Sequence, residues 1–194
     1  MRSFQLLPGI LLAVLAIASP ANGSVVQALE LQELVAHANR IVLGRVLFSE
    51  SFRRPDGQLG TWHRIAVERE LRGSAPDEQE VIVETLGGQI GDIAMRVEGE
   101  PSFTVGERVL VFMRGGGPYT AFRPVGMGQG VMRVRAEQGV ETVRQNREGL
   151  MLMRRNEQGR LERSLGALPE TQRLDALLSK LRDIVEESAG GIDE

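Results

Sequence analysis

Apolar residues recur along this chain with two spacings, and the spacing changes near Arg40. Leu31, Leu34, Val35 and Ala38 fall at i, i+3, i+4 and i+7, which predicts one apolar face of a short helix with Glu30, Glu33 and His37 on the other side. From Ile41 the period is that of strands. Ile41 to Phe48 (IVLGRVLF) is apolar at both parities, as in a strand covered on both faces. Ser49 to Gly60 is polar and holds the turn signal Pro55-Asp56-Gly57, so a loop is expected there. Thr61 to Leu71 is a second strand, with Ile65 and Val67 on one face and Arg64, Glu68 and Glu70 on the other. Gly73-Ser74-Ala75-Pro76 breaks it, and Val81 to Leu86 is a third.

Gly87 to Gly99 is the most irregular stretch, with Ile93 to Val97 as a short strand candidate. Pro101 to Glu107 connects it, through Phe103, to Arg108–Arg114, the most apolar strand, which Gly115-Gly116-Gly117-Pro118 ends abruptly. Tyr119 to Arg123 and Val131 to Arg135 follow; Gly139 then turns the chain into Val140–Arg144, and Leu150 to Met153 is one more candidate strand. Leu174, Leu177, Leu178, Leu181, Ile184 and Val185 form one stripe, which predicts an amphipathic helix with Pro169 in its first turn. The stripe must pack on this protein's own barrel or on a partner chain; an exposed stripe invites aggregation, which favours docking on its own barrel. Many short strands separated by turns, with few helices, point to a small antiparallel barrel rather than a parallel sheet.

Composition adds a compartment. Met1-Arg2-Ser3, an apolar run from Leu6 to Ala18 broken only by Pro8 and Gly9, and the small residues Ser19-Pro20-Ala21 have the order of a secretory signal peptide. The apolar run is about 13 residues, short of the roughly 20 a spanning helix needs. The chain has no cysteine, which removes disulfides, thiol nucleophiles, cysteine-ligated zinc and a lipidation box together. The expectation is a bacterial periplasmic or secreted protein with no stable membrane insertion after cleavage. Basic residues are nearly all Arg, Lys180 being the only Lys, and the formal net charge is −3, so no nucleic-acid partner is indicated. The domain organisation read from the pattern is a signal over 1–23, a β-barrel over 24–153, a polar and mobile linker over 154–168, the helix over 169–187 and a fraying tail over 188–194.

The order of these segments resembles an uncharacterised group of exported bacterial proteins. The resemblance rests on Ala38, Asn39, Ile41, Val42, Gly44 and Val46; on Leu71, Arg72 and Gly73; on Gly87 and Gly88; and on Gly99, Pro101, Phe103, Gly106, Glu107, Leu110 and Phe112. The order is also similar to the OB barrels of netrin-like domains and metalloproteinase inhibitors. It covers roughly residues 29–137 and implies an OB-like barrel there; with the helices read from periodicity, the expected fold is mainly β, a small antiparallel OB-like barrel with a short N-terminal helix and an amphipathic C-terminal one. The inhibitors bind the enzyme's zinc through an N-terminal Cys, which this chain lacks, so their mechanism does not carry over. The uncharacterised group implies no activity.

Candidate chemistry is sparse. His37 and His63 are the two histidines, too few and too separate in sequence for a zinc site. The run Gly87-Gly88-Gln89-Ile90-Gly91-Asp92 lacks the Lys-Ser/Thr ending of a phosphate loop and is expected to need positive φ instead. Ser102 has no partner motif, and no G-x-S-x-G occurs. Asp77-Glu78 and Glu186-Glu187 are solvated pairs. No catalytic, cofactor or metal residues are therefore expected, and no cofactor. Trp62 and Tyr119, the only large amphipathic aromatics, and Arg53 and Arg54 are the candidate partner-binding residues. The expected function is an exported non-enzymatic binding or accessory protein, whose ligand is another protein or an envelope component engaged through the barrel mouth and loops 49–60 and 87–99. The alternatives are an inhibitor or partner of a secreted peptidase, and a hydrolase with an unrecognised site.

Overall fold

The computed structural model describes residues 23–73, 79–117, 121–166, 168 and 171–190. The signal segment up to residue 22 lies outside these residues, as do Asp77-Glu78, Pro118-Tyr119, Pro169 and the last four residues of the tail. In chain order the elements are β1 (Ser24–Gln27), α1 (Leu31–His37), β2 (Arg40–Arg53), β3 (Leu59–Arg72), β4 (Glu80–Leu86), β5 (Gly88–Ile90), β6 (Ile93–Met95), β7 (Arg108–Gly115) and β8 (Phe122–Pro124). A 3-10 turn (Met127–Gly130) leads into β9 (Val131–Glu137), β10 (Val140–Gln145), β11 (Leu150–Arg155), β12 (Leu161–Arg163), β13 (Thr171–Arg173) and α2 (Leu174–Gly190).

Five strands close a ring in the order β7–β2–β3–β4–β8 and back to β7. Four of its pairings are antiparallel, and β4 meets β8 in parallel at Val83 and Phe122. This is the mainly β, OB-like barrel expected, closed by one parallel contact. β9, β10 and β13 extend the sheet outward from β7. β2 bends around the barrel through three register shifts against β3. At one of them Gly44 is indispensable: a Cβ there would lie 2.2 Å from the Ala66 carbonyl oxygen.

Two apolar layers result. Val42, Val46, Ile65, Val81, Val83, Val109, Val111 and Met113 fill the ring. On the other face of β2 and β7, Ile41, Leu43, Leu110 and Phe112 pack under Leu34 and Val35 of α1 and Leu174, Leu177, Leu178 and Leu181 of α2. The C-terminal helix thus docks on its own chain. α1 is held at its start by the Glu30 amide, which donates to the Glu33 carboxylate at 2.7 Å. Buried Gln129 ties the N-terminal segment to the 3-10 turn, accepting from the Leu29 amide and donating to the Gln27 carbonyl, both at 2.9 Å.

Three expectations are corrected. The polar stretch 49–60 is not a loop: β2 runs to Arg53 and β3 starts at Leu59, leaving a turn at 54–58. Its serines misled the pattern because they face inward, where Ser49 meets His63 and Ser51 meets Thr61 across the ladder. The stretch 154–168 is not a plain linker: β11 continues to Arg155 and pairs with β12, through a turn in which Asn156 and Arg160 share a hydrogen bond. β11 also pairs in parallel with β1, an unexpected strand. Finally, α2 begins at Leu174 and reaches Gly190, because Thr171–Arg173 joins the edge of β10 first.

Candidate functional site

Alternation on β3 and β4 decides what faces solvent. Thr61, His63 and Ile65, with Val81, Val83 and Thr85, turn inward and are buried, while Trp62, Arg64, Ile82 and Glu84 turn outward. Register sets Trp62 beside Glu84 and Arg64 beside Ile82. On β2, Phe48 lies opposite Arg64, and Phe52 lies at the end of the strand next to the 54–58 turn. The Trp62 ring stacks on Phe52 with centroids 4.0 Å apart and planes 25° from parallel. Trp62 is nonetheless 42% exposed and Ile82 50%. An aromatic and aliphatic platform is therefore open to solvent where most core-capable side chains of the chain are covered.

Two loops frame this platform. On one side is the β2–β3 turn, with Arg54 and Pro55; on the other is the β7–β8 connection, with Arg114 and Gly115 to Gly117. Phe122 and Arg123 of β8 complete an open groove of about 1460 Å³. Glu84 lies across its floor, ion-paired with Arg54 and, at 2.9 Å, with Arg123. The groove thus combines an apolar anchor with polar groups of both signs. In OB barrels generally, this outer strand face and these two loops are where ligands bind.

A second concavity sits at one end of the barrel interior. The ring closes over Arg40–Arg45 of β2, where β7 pairs with it, and β8 meets β4 at Val83 alone. Beyond these contacts the inward residues become Ser49, Ser51, Thr61, His63 and Thr85. Each His63 ring nitrogen meets a hydroxyl, Ser49 Oγ at 2.8 Å from Nδ1 and Thr85 Oγ1 at 2.9 Å from Nε2. Phe103 covers the ring, 4.5 Å between centroids. Burial pulls the His63 pKa down to about 4, so the imidazole is neutral at pH 7. At Nδ1, where the carboxylate of a serine–histidine–aspartate triad would lie, stands the Ser49 hydroxyl instead. Gly88, at φ +138°, passes so close that a Cβ would lie 2.4 Å from both Ser51 Oγ and Thr61 Oγ1. The cavity left beside His63 is about 310 Å³.

Of the sequence-predicted partner residues, Trp62 and Arg54 come together in the groove. Arg53 does not line it, its guanidinium donating to the Gly57 carbonyl at 3.0 Å. Tyr119 falls outside the described residues. The motif residues have structural places: Gly44 at a bulge, Gly73 at the end of β3, Gly87 and Gly88 entering β5, and Pro101 and Phe103 at the cavity. Gly106 forms a turn with φ +90°, and the Glu107 carboxylate closes it, accepting from the Thr104 amide at 2.7 Å and pairing with Arg133. His37 is exposed, while His63 is buried inside one end of the barrel. Ile82, Glu84, Phe52 and Arg123 were missed. Parity carried the signal, since Ile82 and Glu84 alternate with the inward Val81, Val83 and Thr85.

Among the described residues no three His, Cys, Asp or Glu side chains converge as a metal site would require. No described helix is long and apolar enough to cross a membrane. A scan against protein-family models and a search of curated proteins returned no match.

Proposed function

We propose that this chain is an exported, non-enzymatic binding domain whose groove over β3 and β4 engages another protein. The observation that carries this is the exposed Trp62–Phe52 stack with Ile82 beside it, set between two loops. Such anchors, with Arg at the rim, are the composition of interface hot spots, and the open shape suits a protein surface better than a small enclosed ligand. Glu84, held by Arg54 and Arg123, adds a polar centre that a partner must match. Trp62 is the only tryptophan, so its emission reports the site directly. Crosslinking in the exported fraction is expected to capture a partner, with loss of capture in Trp62→Ala and Ile82→Asp. Capture by Trp62→Ala of the same species at the same yield defeats the proposal.

One observation favours the inhibitor reading as a narrower form of it. The 54–58 turn is rigid: the Arg54 amide donates to the Gln58 carbonyl and the Gly57 amide to the Arg54 carbonyl, both at 2.9 Å. The Gln58 amide also donates to Asp56 Oδ1 at 3.0 Å. A preorganised projecting turn is what a peptidase cleft accepts without further ordering. Inhibition of a secreted peptidase that disappears on replacing 55–57 by serines supports this form; binding without inhibition returns the role to the groove.

A further inference from the structure

We propose that the cavity at the polar end of the barrel is a second binding site, which takes a compact alkylammonium group against the Glu100 carboxylate, with the Ser49 and Thr85 hydroxyls as further acceptors. The cavity lies inside the barrel mouth, apart from the groove, and its volume of about 310 Å³ is at the small end for ligand pockets. It suits a group of a few carbons.

Charge selects the ligand. Glu100 lines the cavity, is half-buried, and feels the Leu86 amide dipole at the end of β4. No ion pair reaches it among the described residues. The nearby Arg123 is engaged by Glu84. Burial raises the Glu100 carboxyl, and the opposing pull of the nearby Arg123 charge offsets this only in part. The cation at the rim, Arg96, is already paired with Glu98 at 2.8 Å and Glu148 at 3.1 Å. His63 contributes no charge, because its imidazole is neutral. The cavity therefore holds a carboxylate with no direct ion pair among the described residues.

Hydrogen-bond capacity points the same way. A neutral imidazole has one N–H, so His63 donates to one hydroxyl and accepts from the other. Lone pairs remain on both Ser49 Oγ and Thr85 Oγ1, ready for ammonium N–H donors. Phe103, Pro101 and Val97 supply apolar wall for the alkyl part.

The probe is n-butylammonium, with 1-butanol and butyrate as neutral and anionic counterparts. In the wild-type protein, butylammonium is expected to shift the His63 and Phe103 ring resonances saturably, and 1-butanol and butyrate are not. Glu100→Gln keeps the size and an acceptor oxygen of the side chain and is expected to weaken binding by roughly tenfold or more, the loss of one charge-assisted contact. Trp62→Ala is expected to leave it unchanged, which separates this site from the groove. Two further probes distinguish the source of the ammonium: preference for 1,4-diaminobutane assigns a free amine, and preference for Nα-acetyl-lysine amide a polypeptide side chain. Absence of saturable shifts in the wild type overturns the proposal without reliance on any variant. Equal binding of 1-butanol, or unchanged affinity in a folded Glu100→Gln protein, overturns it too.

Discussion

The same three strands line two unlike halves of the barrel. In one half, β2, β3 and β4 contribute Val42, Val46, Ile65, Val81 and Val83, packed against Val109 and Val111 of β7 with no polar side chain among them. In the other, two residues from Ile65 and Val83 and, across the bulge in β2, three residues from Val46, they contribute His63, Thr85 and Ser49. The change coincides with the end of β7's pairing to β2. Where the ring is closed, side chains from all sides meet and aliphatic packing fills the space. Where closure ends, residues 87–103 cover the opening imperfectly, and hydroxyls and an imidazole satisfy one another around a cavity. A barrel interior is thus dry only as far as its strands enclose it. The residues beyond that limit are free to carry binding chemistry.

The largest effect is expected in the dry layers. Phe112, fully buried between the sheet and both helices, is expected to cost about 3–5 kcal/mol on Phe112→Ala, seen as a lower denaturant midpoint. An unchanged midpoint would mean that this layer is not packed as described.

Acid is expected to act on the polar half alone. The His63 pKa falls from 6.5 to about 4 on folding, so below pH 6.5 the unfolded chain takes up a proton that the folded chain refuses. The stability from the neutral ring is complete above pH 6.5 and is lost as pH falls toward 4, by about 3 kcal/mol. Glu100, whose carboxyl is raised, works in the opposite sense and offsets part of this loss at the acid end. Denaturant melts from pH 7 to 4 measure the slope, and His63→Gln is expected to flatten it; a slope that survives the substitution assigns the acid response to other groups.

Thr85→Val removes one partner of a buried ring nitrogen and is expected to cost about 1–3 kcal/mol, although it makes Thr85 resemble its dry neighbour Val83. A stabilised Thr85→Val protein would show that the polar half tolerates the chemistry of the other. The smallest effect is on the outside. Trp62→Ala is expected to change stability by about 1 kcal/mol or less, the value of one aromatic stack, while abolishing capture by the groove. A large thermal shift would make Trp62 a structural residue.

Much of the architecture was legible along the chain. The i, i+3, i+4 pattern marked α1, the double-parity run marked β2, and the leucine stripe marked α2, because each rests on a period that burial imposes locally. The hairpin of β9 and β10 was legible from alternation and Gly139. Ser49, Ser51 and the 154–168 stretch were not: their order comes from partners distant in sequence, and a polar residue facing inward reads in the same way as one facing solvent. Of the groove, Trp62 and Arg54 were visible as unusual residues, but their neighbours Ile82, Glu84 and Arg123 come from two other strands.

By itself the sequence determined the periods and the turns, and hence both helices, the main barrel strands and that the fold is mainly β. Only the tertiary structure decided where the ring closes, and with it which inward positions are dry and which line a cavity. That division depends on register between segments dozens of residues apart. Such contacts are set by the joint packing of all five strands, not by any local preference.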